Sequence, residues 1–455
     1  MNSEDLSKKV RESKDVLAPL LRAAAHPMRL QLMAFILDGQ REFRDLCELS
    51  GLGKTALANH LGILIDRGLV ERLARGSYDI TADGKGLLQS VVELFMRSQI
   101  RERLRRRQLV ERYSRGYSLG GETRMESFEV EEKATYEPGW VSYVAAITGV
   151  LKSLGVNCDS VDVAGHSGYA FVVNVSKGTT CPSGPTAHCA WEDIHEGSQV
   201  FGWNIESVSE DVSYPEGEEP TSKDLARALG LFELVKKRLA DLGRPVVVWG
   251  IPVPEYGIVN GYEGDSYKVN TFRCLIDQPD EPVRFDKLQA PGCLEAIFFE
   301  EEIPLPDGDQ RDLEAVGRAA NMAEGAYAPK GYVAGPDAFD EWARVLEESP
   351  DEVIYHGNSY VAACTREMKA YAGRFLDRLA SRHAGAPQAE PLARASEEYG
   401  ESERLMEEFV EIFPFAIEGD LQGERLAEGA RILQAVRLHD AKAKDCLKEA
   451  VEVWK

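Results

Sequence analysis

An α+β protein in three parts is the fold this sequence predicts, and three observations carry the prediction. Residues 45–78 read as a helix, a tight turn, a second helix and a β-hairpin. From Phe128 the pattern becomes short apolar strands set among two helices, and from 310 to 455 it is helical, broken only at Pro and Gly. The divisions are expected at 1–118, 119–305 and 306–455.

In the first part, Leu6, Val10, Val16 and Leu17 predict a helix over 4–18 that ends near Ala18, because Pro19 lacks the N–H a helix interior needs. His26-Pro27 opens a second helix carrying Leu30, Met33, Ala34 and Leu37, with Pro27 in its first turn. Leu46 and Leu49 close a short amphipathic helix, Gly51 and Gly53 supply a turn, and Leu57, Leu61 and Leu64 recur on one face of the next helix. Lys54, Thr55, Ala58, Asn59 and Gly62 are thereby turned outward. Small and hydrogen-bonding side chains with one long cation suit a helix lying in the major groove, where base edges are read by close polar contact. Gly68 stops that helix, and a hairpin carrying Arg72 and Arg75 follows, placed to straddle a phosphate backbone. The candidate DNA-binding residues are Lys54, Thr55, Asn59, His60, Arg72, Arg75, Ser77 and Tyr78. Thr81 then caps a helix whose Leu87, Val91, Leu94 and Phe95 suit a dimer seam.

Helix pairs joined by Gly-x-Gly also occur in all-α proteins that never meet DNA, so the flanks matter. AAAHPMRLQLMAFIL (23–37), ALANHLGILIDRGLVE (56–71) and GSYDIT (76–81) resemble the ArsR-type winged-helix repressors, over about residues 15–95. The resemblance implies a winged helix-turn-helix, a homodimer paired through its first and last helices, and a second motif helix in the groove of double-stranded DNA. Metal-sensing members carry a paired-cysteine box on the first motif helix; here only Cys47 falls there, and no metal ligands are assigned.

Composition agrees with this division. The net charge of −23 is uneven: residues 1–118 hold 21 Lys and Arg against 15 Asp and Glu, and the remainder 32 against 61. Only the first part is built to approach a polyanion. Eight arginines between Arg97 and Arg115 form either a solvated helix face or a phosphate-contacting brace, and Tyr117 to Ser127 reads as a linker. No apolar run approaches the roughly 20 residues of a membrane span, and the charged start has no signal-peptide core, so a cytoplasmic, non-membrane protein is expected. The 8 scattered cysteines do not form a disulfide framework.

In the middle part a buried helix is expected at Trp140 to Leu154, strands at 169–175 and 199–206, a helix at 222–241, and strands near 245–250, 256–262, 266–272 and 295–301. This order, with EYGIVNGYEGD as the late strand, resembles the papain-like cysteine enzymes over residues 137–272. The closer likeness is to bacteriocin-processing peptidases and the butirosin-type acyltransferase family, whose helical tail FDEWARVL at 339–346 also resembles. In those enzymes a Cys opens the central helix and a His leads the later strand. Here Ser142 and Glu255 stand near those places, so the resemblance implies a papain-like domain without its catalytic pair, and no imidazole is in place to deprotonate Ser142. If the cleft persists, Trp140, Tyr143, His166, Trp249, Glu255 and Tyr256 would line it. Aromatic walls around one carboxylate favour a cationic or amine-bearing effector, unless these rings merely fill vacated space.

Cys181, His188, Cys189 and His195 form a second cluster of soft ligands, at spacings that match no structural zinc pattern. The sequence therefore points to a DNA-binding transcriptional regulator with a small-molecule sensor domain and no assigned cofactor. The alternative is a thiol acyltransferase or hydrolase using Cys181 or Cys189, tethered to DNA.

Overall fold

The computed structural model describes residues 3–73, 76–96, 127–211, 221–276 and 278–454. Arg75, the arginine run and nearly all of the expected linker lie outside them. The chain divides into two compact units, 1–105 and 106–455.

The first unit runs α1 (Ser3–Ala24), α2 (Pro27–Leu37), β1 (Arg41–Glu42), α3 (Phe43–Ser50), α4 (Lys54–Asp66), β2 (Val70–Arg72), β3 (Ser77–Ile80) and α5 (Ala82–Met96). Its sheet has the order β1-β3-β2, with Arg41 opposite Tyr78 and Arg72 opposite Tyr78 on the other side. Leu32, Met33, Ile36, Leu46, Leu57, Leu61, Leu64 and Leu69 make the core, so the apolar stripe read from the sequence is the buried one. Helix α1 does not end at Pro19; it continues to Ala24. Proline costs one backbone hydrogen bond there, whereas Ala23 is buried in the core and the Arg29 guanidinium clasps the carbonyls of Arg22 and Ala23, which holds the last turn in place. Thr81 caps α5 as expected, its hydroxyl accepting from Gly84 N at 3.0 Å.

The second unit opens with β4 (Ser127–Glu129), α6 (Ser142–Ser153), α7 (Ser160–Ser167), β5 (Asn174–Ser176), α8 (Trp191–Ser198), β6 (Trp203–Asp211) and α9 (Ser222–Leu242). It continues with β7 (Val246–Trp249), β8 (Tyr256–Glu263), β9 (Ser266–Asn270), β10 (Val283–Arg284), β11 (Cys293–Glu302) and α10 (Gly308–Glu324). β12 (Tyr332–Ala334), α11 (Asp337–Glu348), α12 (Tyr355–Arg382), α13 (Ala389–Ile412) and α14 (Gly423–Trp454) complete it. The main sheet is antiparallel in the order β10-β9-β8-β7-β11-β6, and β4 also pairs with β8. A register shift between Val259 and Gly261 marks where β8 serves both neighbours; a Cβ on Gly261 would lie 2.2 Å from the Phe128 carbonyl oxygen, so only glycine lets β4 approach.

Helix α6 is buried from Ser142 through Leu151, which is why its sequence is apolar on every face. Two expectations shift: Tyr169–Phe171 form a 3-10 turn before the short strand β5, and Gln199–Phe201 form another before β6. Helices α7 and α8 had no clear periodicity in the sequence, being 8 residues each. Residues 306–455 share one core with 127–305: buried Phe375, Tyr399 and Leu447 belong to the same cluster as Val144, Val247 and Phe298. Within the helical part, the fully buried Lys369 ammonium pairs with Asp440, whose other oxygen accepts from Ser402 at 2.8 Å.

Candidate functional site

In the first unit the turn before α4 is made by Gly51, left-handed at φ 67°, whose N–H caps α3 on the Cys47 carbonyl at 3.0 Å. With Leu57, Leu61 and Leu64 buried, Lys54, Thr55, Ala58 and Asn59 are exposed on the opposite face and Gly62 is half-buried. Arg72 is exposed on β2 and Ser77 half-exposed on β3.

Two expected contacts are corrected. Tyr78 is only 6% exposed and packs in the core beside Phe43, because alternation along β3 turns it inward when Ser77 faces out. His60 lies on the flank of α4, its ring 4.8 Å from that of His26. His26 in turn caps α2, its Nδ1 accepting from Met28 N at 3.1 Å. Burial lowers the His60 pKa, and the nearby His26 and Arg29 lower it further. His60 is thus tied to α2 rather than to the outward face.

In the second unit, β8 begins against the first turn of α6. Tyr256 N–H donates to Ser142 Oγ at 3.1 Å, and the Ser142 and Tyr360 hydroxyls donate to the Glu255 carboxyl. Burial drives the Glu255 pKa up to about 7 against those hydrogen bonds. Part of the residue reaches the surface, but its Oε2 is shut off from solvent and has no partner.

Tyr256 packs against Trp249 at 4.9 Å and edge-to-face with Tyr143 at 5.6 Å between ring centres. Trp140 lies against Phe415 at 4.8 Å. The structure thus brings Trp140, Tyr143, Trp249, Glu255 and Tyr256 into one neighbourhood. His166 is not part of it: its ring packs on Phe375 at 5.0 Å and Phe201 at 5.7 Å, and its burial lowers its pKa to about 3.

Behind Tyr256 is a buried polar network. Glu295 accepts from Tyr256 OH at 2.6 Å and from Ser207, and lies 3.3 Å from His195 Nε2, whose Nδ1 is 3.0 Å from the Tyr143 hydroxyl. Burial alone would push the Glu295 carboxyl up, but His195, Ser207 and Tyr256 outweigh it and bring it down to about 2. Of the four soft-ligand candidates, His188 and His195 both stack on Trp191. Cys181 Sγ is 3.0 Å from Ser183 Oγ, His188 stacks on Trp191 at 4.6 Å, Cys189 is exposed, and His195 belongs to the network just described. Among the described residues no group of three or more His, Cys, Asp or Glu is placed to hold a metal ion.

Sequence reasoning missed Tyr136, Tyr360, Glu367 and Phe415 around Glu255. Three of them come from α12 and the loop after α13, more than 100 residues from Glu255, and no local pattern marks them.

The comparisons with known proteins bear on the first unit. Residues 26–72 match the family described as bacterial regulatory protein, arsR family. A biofilm growth-associated repressor of Xylella fastidiosa strain Temecula1 is 34% identical over 71 residues, which is 16% of this chain and 59% of that protein. A probable mercury resistance operon repressor of Streptomyces lividans is 39% identical over 77 residues, 17% of this chain and 55% of that protein. The chain therefore spans less than two thirds of the length of these curated relatives. It carries an ArsR-type helix-turn-helix at its N-terminal end, within a mixed helix and sheet protein.

Proposed function

We propose that this protein is a DNA-binding transcriptional regulator of the ArsR type whose second unit senses a small molecule. The observation that carries the reading is α4. Its apolar stripe is buried and its Lys54, Thr55, Ala58 and Asn59 face is open, beside a three-stranded sheet with Arg72 exposed. The match over residues 26–72 supports it independently. A homodimer is supported by exposed Val91 and Val92 on α5 and Leu21 on α1, apolar side chains that a second copy would cover. The DNA-binding part is taken as residues 1–118, and the cytoplasm is the compartment that holds its double-stranded DNA.

The sensor reading is supported by the meeting of α6 and β8, where Tyr256 N–H donates to Ser142 Oγ, and by the sequence resemblance, which implies that Ser142 and Glu255 stand near the places of a papain-like Cys and His. It takes that domain as a catalytically inactive, papain-like binding unit. The test is binding of the full chain to its own promoter fragment and to random duplex across a salt series. Asn59→Ala should lose discrimination between the two DNAs by about 5-fold to 100-fold, the worth of one side-chain contact to a base edge. Arg72→Ala should weaken both similarly and lessen the log-log salt slope by about 0.9, one phosphate contact. Equal wild-type affinity for every sequence would overturn the specific-regulator reading.

A further inference from the structure

We propose that the place where the first turn of α6, the turn leading into β8 and helix α12 meet is a binding site for an organic cation, an ammonium group on an apolar or aromatic body. The proposal rests on the reading of the second unit as the effector-binding one. Two carboxyl groups from distant parts of the chain each hydrogen-bond to the first turn of α6 or the residue before it. Glu255 receives the hydroxyls of Ser142 and Tyr360, and Glu367 Oε2 accepts from Val141 N at 2.8 Å. No Lys or Arg is among the groups that perturb Glu255, and Arg366, which acts on Glu367, is itself held by Glu407 at 2.8 Å. Burial raises both carboxyl pKa values.

Unpartnered buried oxygens favour a hydrogen-bond donor as the polar group of such a ligand. Glu255 Oε2 has no hydrogen-bond partner, nor does the hydroxyl of Tyr136, a residue only 2% exposed. Tyr136 is close enough to Glu255, Glu367 and Cys364 for their charges to oppose its ionisation. Buried polar atoms are rarely left in this state, and an ammonium group is the donor that Glu255 Oε2 lacks.

The entrance fits the same class of molecule. Trp140, His356 and Tyr360 are partly exposed around it, and Phe415, 44% exposed, leans over Trp140 at 4.8 Å and His356 at 5.4 Å. Aromatic faces beside a carboxyl group attract a cation and its apolar body together. An anion would meet two acids, and a bare metal ion would lack ligands, since the described residues offer no group of three.

The experiment titrates the full chain at pH 8 with 2-phenylethylammonium and, as its neutral counterpart, 2-phenylethanol, following tryptophan fluorescence. All 6 tryptophans lie beyond residue 105, so the signal reports the second unit. The ammonium should bind saturably and the alcohol should not. Glu255→Gln should weaken the ammonium at least tenfold, and Phe415→Ala, at a position 44% exposed, about threefold. Lowering the pH from 8 to 6 should weaken the wild type by about tenfold as Glu255 takes up its proton, with Tyr136, Ser142, Tyr360, Cys364 and Glu367 as the groups facing it. Equal binding of the alcohol, wild-type affinity in both variants, or no saturable ammonium binding up to about 10 mM would each overturn the proposal. No DNA is present, so such a failure leaves the regulator reading standing, and loss of operator specificity leaves this one standing.

Discussion

Replacing Glu255 by Gln should make the second unit more stable at alkaline pH. A carboxyl whose pKa rises on folding holds its proton more tightly in the folded chain than in the unfolded one. Here the pKa moves from an ordinary value of 4.5 to about 7. Below 4.5 both states are protonated and the group costs nothing. As the pH climbs from 4.5 to 7 the unfolded chain ionises first and stability is lost, with the full loss in place above 7. At about 1.4 kcal/mol per pKa unit the loss is about 3 kcal/mol, and part exposure of the residue trims it toward about 2 kcal/mol. Gln keeps an acceptor for Tyr360 and Ser142 but carries no charge, so the variant escapes the loss. Glu367 titrates in both proteins and cancels. Urea unfolding followed by tryptophan fluorescence at pH 5 and pH 8 measures the difference. The advantage of Glu255→Gln should grow by about 2 kcal/mol between the two. Parallel pH dependence in the two proteins would refute the reasoning, because it would mean that Glu255 is solvated like any surface carboxylate.

Ser142→Ala should destabilise the second unit by about 1–3 kcal/mol at pH 5, since the buried Tyr256 N–H loses its acceptor; the same urea experiment reads it, and a change below about 0.5 kcal/mol would mean that water takes the place of the hydroxyl. Lys369→Ala should cost about 3–5 kcal/mol, because it strands Asp440 among α12, α13 and α14 with only Ser402 as partner, and Lys369→Ala combined with Asp440→Ala should recover part of that loss in thermal unfolding.

The parts of this fold that were legible in the sequence are those where one face of one element meets the core. Leu57, Leu61 and Leu64 announce the buried side of α4 by spacing alone, and the outward side follows by subtraction. The same rule, applied to β3, places Tyr78 inside once Ser77 is outside; grouping the hairpin residues by proximity to the wing ignored the period of two. His60 is a subtler case. It lies three residues after Leu57 and therefore on the margin of the buried stripe, where only the arrival of His26 from another helix decides its role. Pro19 shows the reverse: the local rule ends the helix, and packing of Ala23 with the Arg29 clasp overrides it.

At the Glu255 site the limit is one of sequence distance. Trp140, Tyr143, Glu255 and Tyr256 were found because the order of a buried helix and a late strand brings their ends together, and the structure joins them through Ser142 Oγ. His166 was placed with them as an aromatic neighbour of the cleft, but α7 presents it to Phe375 of α12 instead. What completes the site comes from α12 and the Phe415 loop, whose sequence reads as ordinary amphipathic helix and connection. Tyr360, Cys364, Glu367 and Tyr371 recur there at intervals of three and four, so one stripe of α12 faces the start of α6. A stripe that mixes Tyr, Cys and Glu where neighbouring helices use Leu and Ala is costly to bury, since each polar atom must be satisfied by something. On this stripe Glu367 is satisfied by Val141 N–H, the Cys364 thiol by the Trp140 carbonyl and the Tyr360 hydroxyl by Glu255, whereas Glu255 Oε2 and the Tyr136 hydroxyl beside them are among the buried polar atoms without a protein partner.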